Sequence, residues 1–94
     1  MVAMNSLLNK TVLSSDAFDI GTVSGFDLDI STWSVTHIGV TLNVQSTKEL
    51  GVRKPLLGGL TICIPIAHVD KVGDMVTLNI PFDNLKSLPE CKLL

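Results

Sequence analysis

The chain has 94 residues, room for one domain with a modest core and not for two. It is 46% hydrophobic and 17% charged, with a mean hydropathy of +0.45, which excludes an intrinsically disordered chain. The net charge is −2 and the seven Lys and Arg are scattered, Arg53-Lys54 being the densest pair, so no basic face is available for direct nucleic-acid binding.

Residues 1–6 read as a loose terminus. No basic flank or long apolar stretch marks a signal peptide there, and no run approaches the ~20 apolar residues of a membrane span, so the expected location is cytoplasmic. Leu7 and Leu8 read as a plug for one end of the fold. Thr11-Val12-Leu13 is a short strand closed by the polar turn Ser14-Ser15-Asp16. A long strand starts near Asp19. Its apolar residues Val23, Phe26, Leu28 and Ile30 do not share one parity, so the two-residue period must slip between Val23 and Phe26. Gly25 is the natural place for a bulge, which curls the strand. Beyond it Phe26, Leu28 and Ile30 are expected to face inward, with Asp27 and Asp29 in water.

After a tight turn at Ser31-Thr32, a second long strand runs from Ser34 to about Val44. Ile38, Val40, Leu42 and Val44 form its inward set; His37, Gly39, Thr41 and Asn43 form the outer face. The same parity puts Trp33 outward. Residues 45–59 read as a long polar, glycine-containing loop, of a length that is often functional. Leu60 to Ile64 is a strand ended by Pro65, and Cys63 reads as a small core residue. Ile66 to Val69 suggests a 3-10 turn and a brief strand. Gly73-Asp74 turns the chain into the last strand, Met75 to Ile80, with Val76, Leu78 and Ile80 inside. Phe82, Leu85 and Leu88 have helical spacing, and this short helix, ended by Pro89, is expected to cover an open end of the barrel. Cys63 and Cys91 are the only cysteines; a disulfide between them is allowed but not required.

The chemistry-bearing residues are few, and each has a plain structural reading. His37 and His68 are the only histidines, and His68 with Asp70 is a pair by spacing alone. Asp27 and Asp29 together would suit a hard cation or acid–base work, but they also suit a solvated strand. Ser14, Ser15 and Ser24 lack a partner histidine, and Leu57-Gly58-Gly59 lacks the Lys-Ser/Thr of a phosphate loop. No catalytic, cofactor or metal residue is expected. The candidates for a protein interface are Trp33, His37, Arg53, Lys54, Leu56 and Leu57. Trp33 leads this set, against the alternative that it folds over the barrel end as core.

In chain order, Leu8-Asn9-Lys10-x-Val12, Ile20-Gly21-x-Val23, Asp27-Leu28-Asp29, Trp33-x-Val35, Ile64-Pro65-Ile66-x-x-Val69 and Val72-Gly73-Asp74-x-Val76-x-Leu78 together resemble the PRC-barrel family, in particular its small stand-alone archaeal members. The resemblance covers about residues 7 to 88. It implies a six-stranded β-barrel without a catalytic constellation, so no active-site residues carry over. Members include a ribosome-maturation factor whose barrel docks a ribosomal protein, the H subunit of photosynthetic reaction centres, and archaeal proteins similar to cell-division adaptors. The long segment 45–59 departs from the simplest members.

The expectation is therefore an all-β domain over residues 7–88, a six-stranded barrel with a short C-terminal helix between flexible termini at 1–6 and 89–94. Its expected role is that of a non-enzymatic adaptor for a protein partner, itself a homodimer that hides sheet edges by pairing, and the resemblance implies a place in archaeal cell division. The alternatives are a ribosome- or RNA-associated factor, and a small-ligand or metal-binding barrel using His37, His68, Asp27 or Asp29.

Overall fold

The computed structural model describes residues 3–49 and 60–88. Its elements are α1 (Met4–Leu7), β1 (Thr11–Leu13), β2 (Asp19–Asp29), β3 (Ser34–Leu42), α2 (Val44–Glu49), β4 (Thr61–Pro65), β5 (Val69–Val72) and β6 (Val76–Leu78), with 3-10 turns at Ile66–His68 and Phe82–Ser87. The strands form one sheet in the order β4-β3-β2-β1-β6-β5. Neighbours are antiparallel except β1 and β6, which run parallel with Val12 opposite Val76.

Of the expected six-stranded barrel the structure shows the six-stranded sheet, which is not closed among the described residues. Among the described residues β4 and β5 each pair with one neighbour and not with each other. The chain passes between them through the three-residue 3-10 turn at Ile66–His68, which starts directly after Pro65. That is not the primed two-residue turn that folds two strands back into a ladder, and Pro65 has no N–H to donate.

The sheet curls because the β2–β3 pair carries two irregularities. Val23 faces Val40 and Gly25 faces Gly39, so Ser24 is the extra residue, at the place where the parity slip required one. Asp27 faces His37 and Leu28 faces Val35, which leaves Thr36 extra on β3. This second shift puts Val35 on the same side as Ile38. At Gly21, between Val12 of β1 and Leu42 of β3, the backbone has φ +152° and passes close to the Thr41 carbonyl.

The core gathers the inner faces of the strands: Val12, Ile20, Val23, Ile38, Val40, Leu42, Ile62, Ile64, Val76 and Leu78 are buried, and β5 adds only the half-buried Val69. Phe82 and Leu85 of the last 3-10 turn join it, and Ile80 and Leu88 pack against it half-buried. Their three-residue spacing fits this tighter helix as well as an α-helix. The turn is held to the rest by Asp16, whose carboxylate accepts a hydrogen bond from Phe82 N at 3.1 Å.

Several inward assignments are overturned. Leu28 is 37% exposed and Ile30 71%. The reason is topological: β1 reaches β2 only as far as Thr22, and β4 reaches β3 only from His37 to Thr41. Beyond those points the β2–β3 hairpin is a two-stranded ribbon with no neighbouring strand, and its far end, from Leu28 to Ser34, is left exposed apart from the hairpin itself. Val44 is also exposed, because the strand ends at Leu42 and a short helix replaces the start of the expected loop. Asn43 caps that helix, its Oδ1 accepting from Ser46 N at 2.8 Å. Cys63 is half-buried on edge strand β4 and disulfide-bonded, not a free core thiol. Leu8 is exposed, whereas α1 orders part of the stretch expected to be loose.

Candidate functional site

The projecting hairpin ends in the turn Ile30–Trp33, and local hydrogen bonds fix its shape. One Asp29 carboxylate oxygen accepts from Ser31 N at 3.0 Å and from Ser31 Oγ at 2.7 Å, an Asx turn. Ser34 Oγ donates to the Thr32 carbonyl at 3.4 Å, and Thr36 Oγ1 to the Asp27 carbonyl at 3.3 Å. The Ser31 hydroxyl, then the Ser31 N–H, holds the Asp29 carboxyl below its ordinary pKa. The turn closes at Trp33 with φ +55°, in the left-handed region that bulky residues avoid. Trp33 is 76% exposed, so it does not fold over the sheet as core.

His37, half-buried, stands across the ladder from Asp27. Its Nδ1 lies 2.9 Å from Thr36 Oγ1 and 3.7 Å from an Asp27 carboxylate oxygen. This is the one ion pair among the described residues, and the spacing pair His68–Asp70 does not form one. Asp27 and Asp29 thus do not act as a matched pair: one faces His37, the other folds back onto its own turn. Arg53, Lys54, Leu56 and Leu57 lie outside the described residues, as do Gly58, Gly59 and Cys91.

Ser14 and Asp16 form a structural turn. Buried Ser14 donates its hydroxyl to Asp16 and accepts from Phe18 N at 3.1 Å. The Ser14 hydroxyl is the main cause that lowers the Asp16 pKa, with the Phe82 N–H adding to it. A carboxylate depressed in the folded state stabilises it above the unfolded pKa, and the gain is lost as pH falls through the folded value. Asp16 and Asp29 therefore predict a melting temperature that holds down to about pH 4 and declines below it. Ser14→Ala should weaken the fold at neutral pH and flatten that acid decline; circular dichroism melts across the pH range check both.

The feature the sequence reading missed is an apolar groove of about 210 Å³. Met4 and Leu7 of α1, Val23 and Phe26 of β2, Val35 and Ile38 of β3, Ile66, Val69 and Val72 of the β5 side and Val76 of β6 line it. Every lining side chain is hydrophobic, and Met4, Ile66 and Val72 at its rim are each 45% exposed. The run Ile66, Val69, Val72, Val76 was the available signal, but it names a groove only once the Thr36 shift brings Val35 to that side. A second cavity, about 340 Å³, is lined by Asp16, Phe18, Asp19, Gln45, Ser46, Phe82 and Asp83. There the Phe18 and Phe82 rings pack with centroids 5.4 Å apart.

Chemically, the described surface offers hydrophobic contact and a few carboxylates. Among the described residues no three His, Cys, Asp or Glu side chains converge. No helix of the described chain is long and apolar enough to cross a membrane. The sequence matches the family model of the PRC-barrel domain over residues 1–85. No curated protein matches it.

Proposed function

This chain belongs to the PRC-barrel domain family, and on that premise we propose that it is a non-enzymatic adaptor that binds proteins and is itself a homodimer. The observation that carries the reading is the open apolar groove. A groove lined only by hydrophobic side chains is favourable to cover with another apolar surface, since each buried Å² returns about 25 cal/mol. The groove has no polar side chain to orient a polar substrate. Its volume of about 210 Å³ lies below the roughly 300–1,000 Å³ of ordinary ligand pockets. Another protein surface suits it better than a small molecule.

A second copy is the simplest occupant. The groove lies beside edge strand β5, and a two-fold contact would cover both copies' grooves and both β5 edges at once. The narrower form of the proposal is a stand-alone archaeal member, cytoplasmic and attached to the cell-division machinery. It rests on the resemblance in the motifs quoted above.

Val72→Glu tests the dimer. Val72 sits at the groove rim, 45% exposed, so the change spares the core. The variant should melt close to wild type yet sediment as a monomer at concentrations where wild type is a dimer. A wild-type protein that stays monomeric throughout the accessible range would refute the homodimer.

A further inference from the structure

Between Thr11 and Thr47 the sequence holds four Asp residues, Asp16, Asp19, Asp27 and Asp29, and no Glu, Lys or Arg. The hairpin that projects beyond the sheet is therefore purely acidic, and it ends in two large apolar side chains in water, Ile30 at 71% and Trp33 at 76% exposure. We propose that this tip is a second docking surface, which inserts Trp33 into an apolar socket rimmed by Lys or Arg on a partner protein. The inference rests on the adaptor reading and deepens it: the groove binds a second copy, and the tip binds the client.

The case rests on three properties of the tip. Trp33 occupies a left-handed backbone position that Gly or Asn would fill without strain, so the turn itself has no need of an indole there. The hydrogen bonds from Ser31 to Asp29 and from Ser34 to Thr32 fix the turn before any partner arrives, which lowers the ordering cost of binding. Tryptophan is among the side chains, with Tyr and Arg, that are enriched at the energetic centre of interfaces. The flanking carboxylates then select the partner. Asp27 and Asp29 repel nucleic-acid phosphates, anionic lipid and the identical tip of a second copy, and they favour a cationic rim.

Trp33 is the only tryptophan, so 5-fluorotryptophan incorporation gives one ¹⁹F resonance that reports on the tip alone. The full chain, Trp33→Gly, Trp33→Asn and the double variant Asp27→Asn with Asp29→Asn serve as parallel baits in cell extract, with Val72→Glu alongside. Retained proteins are identified by mass spectrometry, and the one lost with both Trp33 variants is purified and titrated against the labelled chain. The expected result is a shifted ¹⁹F resonance, at least tenfold weaker binding by both Trp33 variants with melting temperatures equal to or above wild type, and binding by wild type that weakens with salt while the Asn double variant has lost most of that salt dependence. Val72→Glu should keep the client while losing self-association.

A client retained equally by wild type and the Trp33 variants would overturn the tip and leave the adaptor reading standing. Monomeric wild type that retains no specific protein would overturn both. A ¹⁹F resonance that moves with the chain's own concentration would assign the tip to a second copy. One that moves on phosphatidylglycerol vesicles would assign it to lipid. Either result would overturn the proposed partner.

Discussion

Gly21→Ala should cost at least ~3 kcal/mol and leave little folded protein, because it combines a backbone clash with a strained φ. An alanine Cβ at this position would lie 2.0 Å from the Thr41 carbonyl oxygen, at a backbone φ of +152° that side chains rarely adopt. The atom it meets is main chain, held in the β2–β3 ladder, so it has no rotamer to turn aside. Relief requires β2 to move off β3, and β2 is the strand that joins β1 to β3 at the centre of the sheet. A domain of this size has about 5–15 kcal/mol of total stability, so the loss is a large share of it. Gly73→Ala is the matched control: nothing lies within 4 Å of its added methyl, and it should change stability by under ~0.5 kcal/mol. Urea unfolding followed by far-ultraviolet circular dichroism compares them. Equal midpoints for the two variants would contradict the close approach at Gly21.

Leu85→Ala should cost about 2–5 kcal/mol although it lies outside the strands. Leu85 is 1% exposed although it sits in a 3-10 turn rather than a strand. The turn enters the core through Phe82 and Leu85, and it is tied to the first strand's turn through the Phe82 N–H bond to Asp16 and the packing of Phe18 on Phe82. Removing the Leu85 side chain leaves a cavity that this doubly anchored segment cannot collapse to fill. A loss under ~1 kcal/mol in the same unfolding experiment would show that the turn is a loose cover and not part of the core.

Much of the fold was legible in the residues, and the misses share one cause. The slip between Val23 and Phe26 followed from their parity, and the pairing register shows it, one residue before the expected Gly25, at Ser24. Strand alternation placed Ile38, Val40, Leu42, Val76 and Leu78 inside, where they are. The shift at Thr36 left no comparable trace, since Val35, Thr36 and His37 read as an ordinary strand; it alone moves Val35 to the groove side. Leu28 and Ile30 keep the alternation of a buried strand although no neighbour covers them. Alternation reports which face a residue is on, and only the reach of β1 and β4 decides whether that face is covered. Whether the six strands close was not legible for the same reason, because pairing between distant strands is not written in local periodicity. Val44 continued the parity of β3, and the cue that ended the strand was Asn43, a good helix cap read as an outer-face residue. At the candidate site Trp33 is in solvent as expected, but not for the reason of parity, which flips at Thr36: it sits in the uncovered turn, and its left-handed backbone and the Asx turn under it were visible only in the structure.

The parallel pairing of β1 with β6 has a bearing on biosynthesis. Val12 leaves the ribosome well before its partner Val76, with β2 to β5 made in between. Until Val76 to Leu78 emerge, β1 offers one bare edge, and the buried faces of Val12, Ile20 and Val23 lack the side chains of Val76, Leu78 and Leu85 that complete their enclosure. Non-local pairing of this kind pays its loop-closure entropy before any contact repays it. The domain should therefore condense in a single late step once β6 has emerged rather than strand by strand, and a nascent chain stalled short of β6 should be the form most exposed to protease and to chaperones.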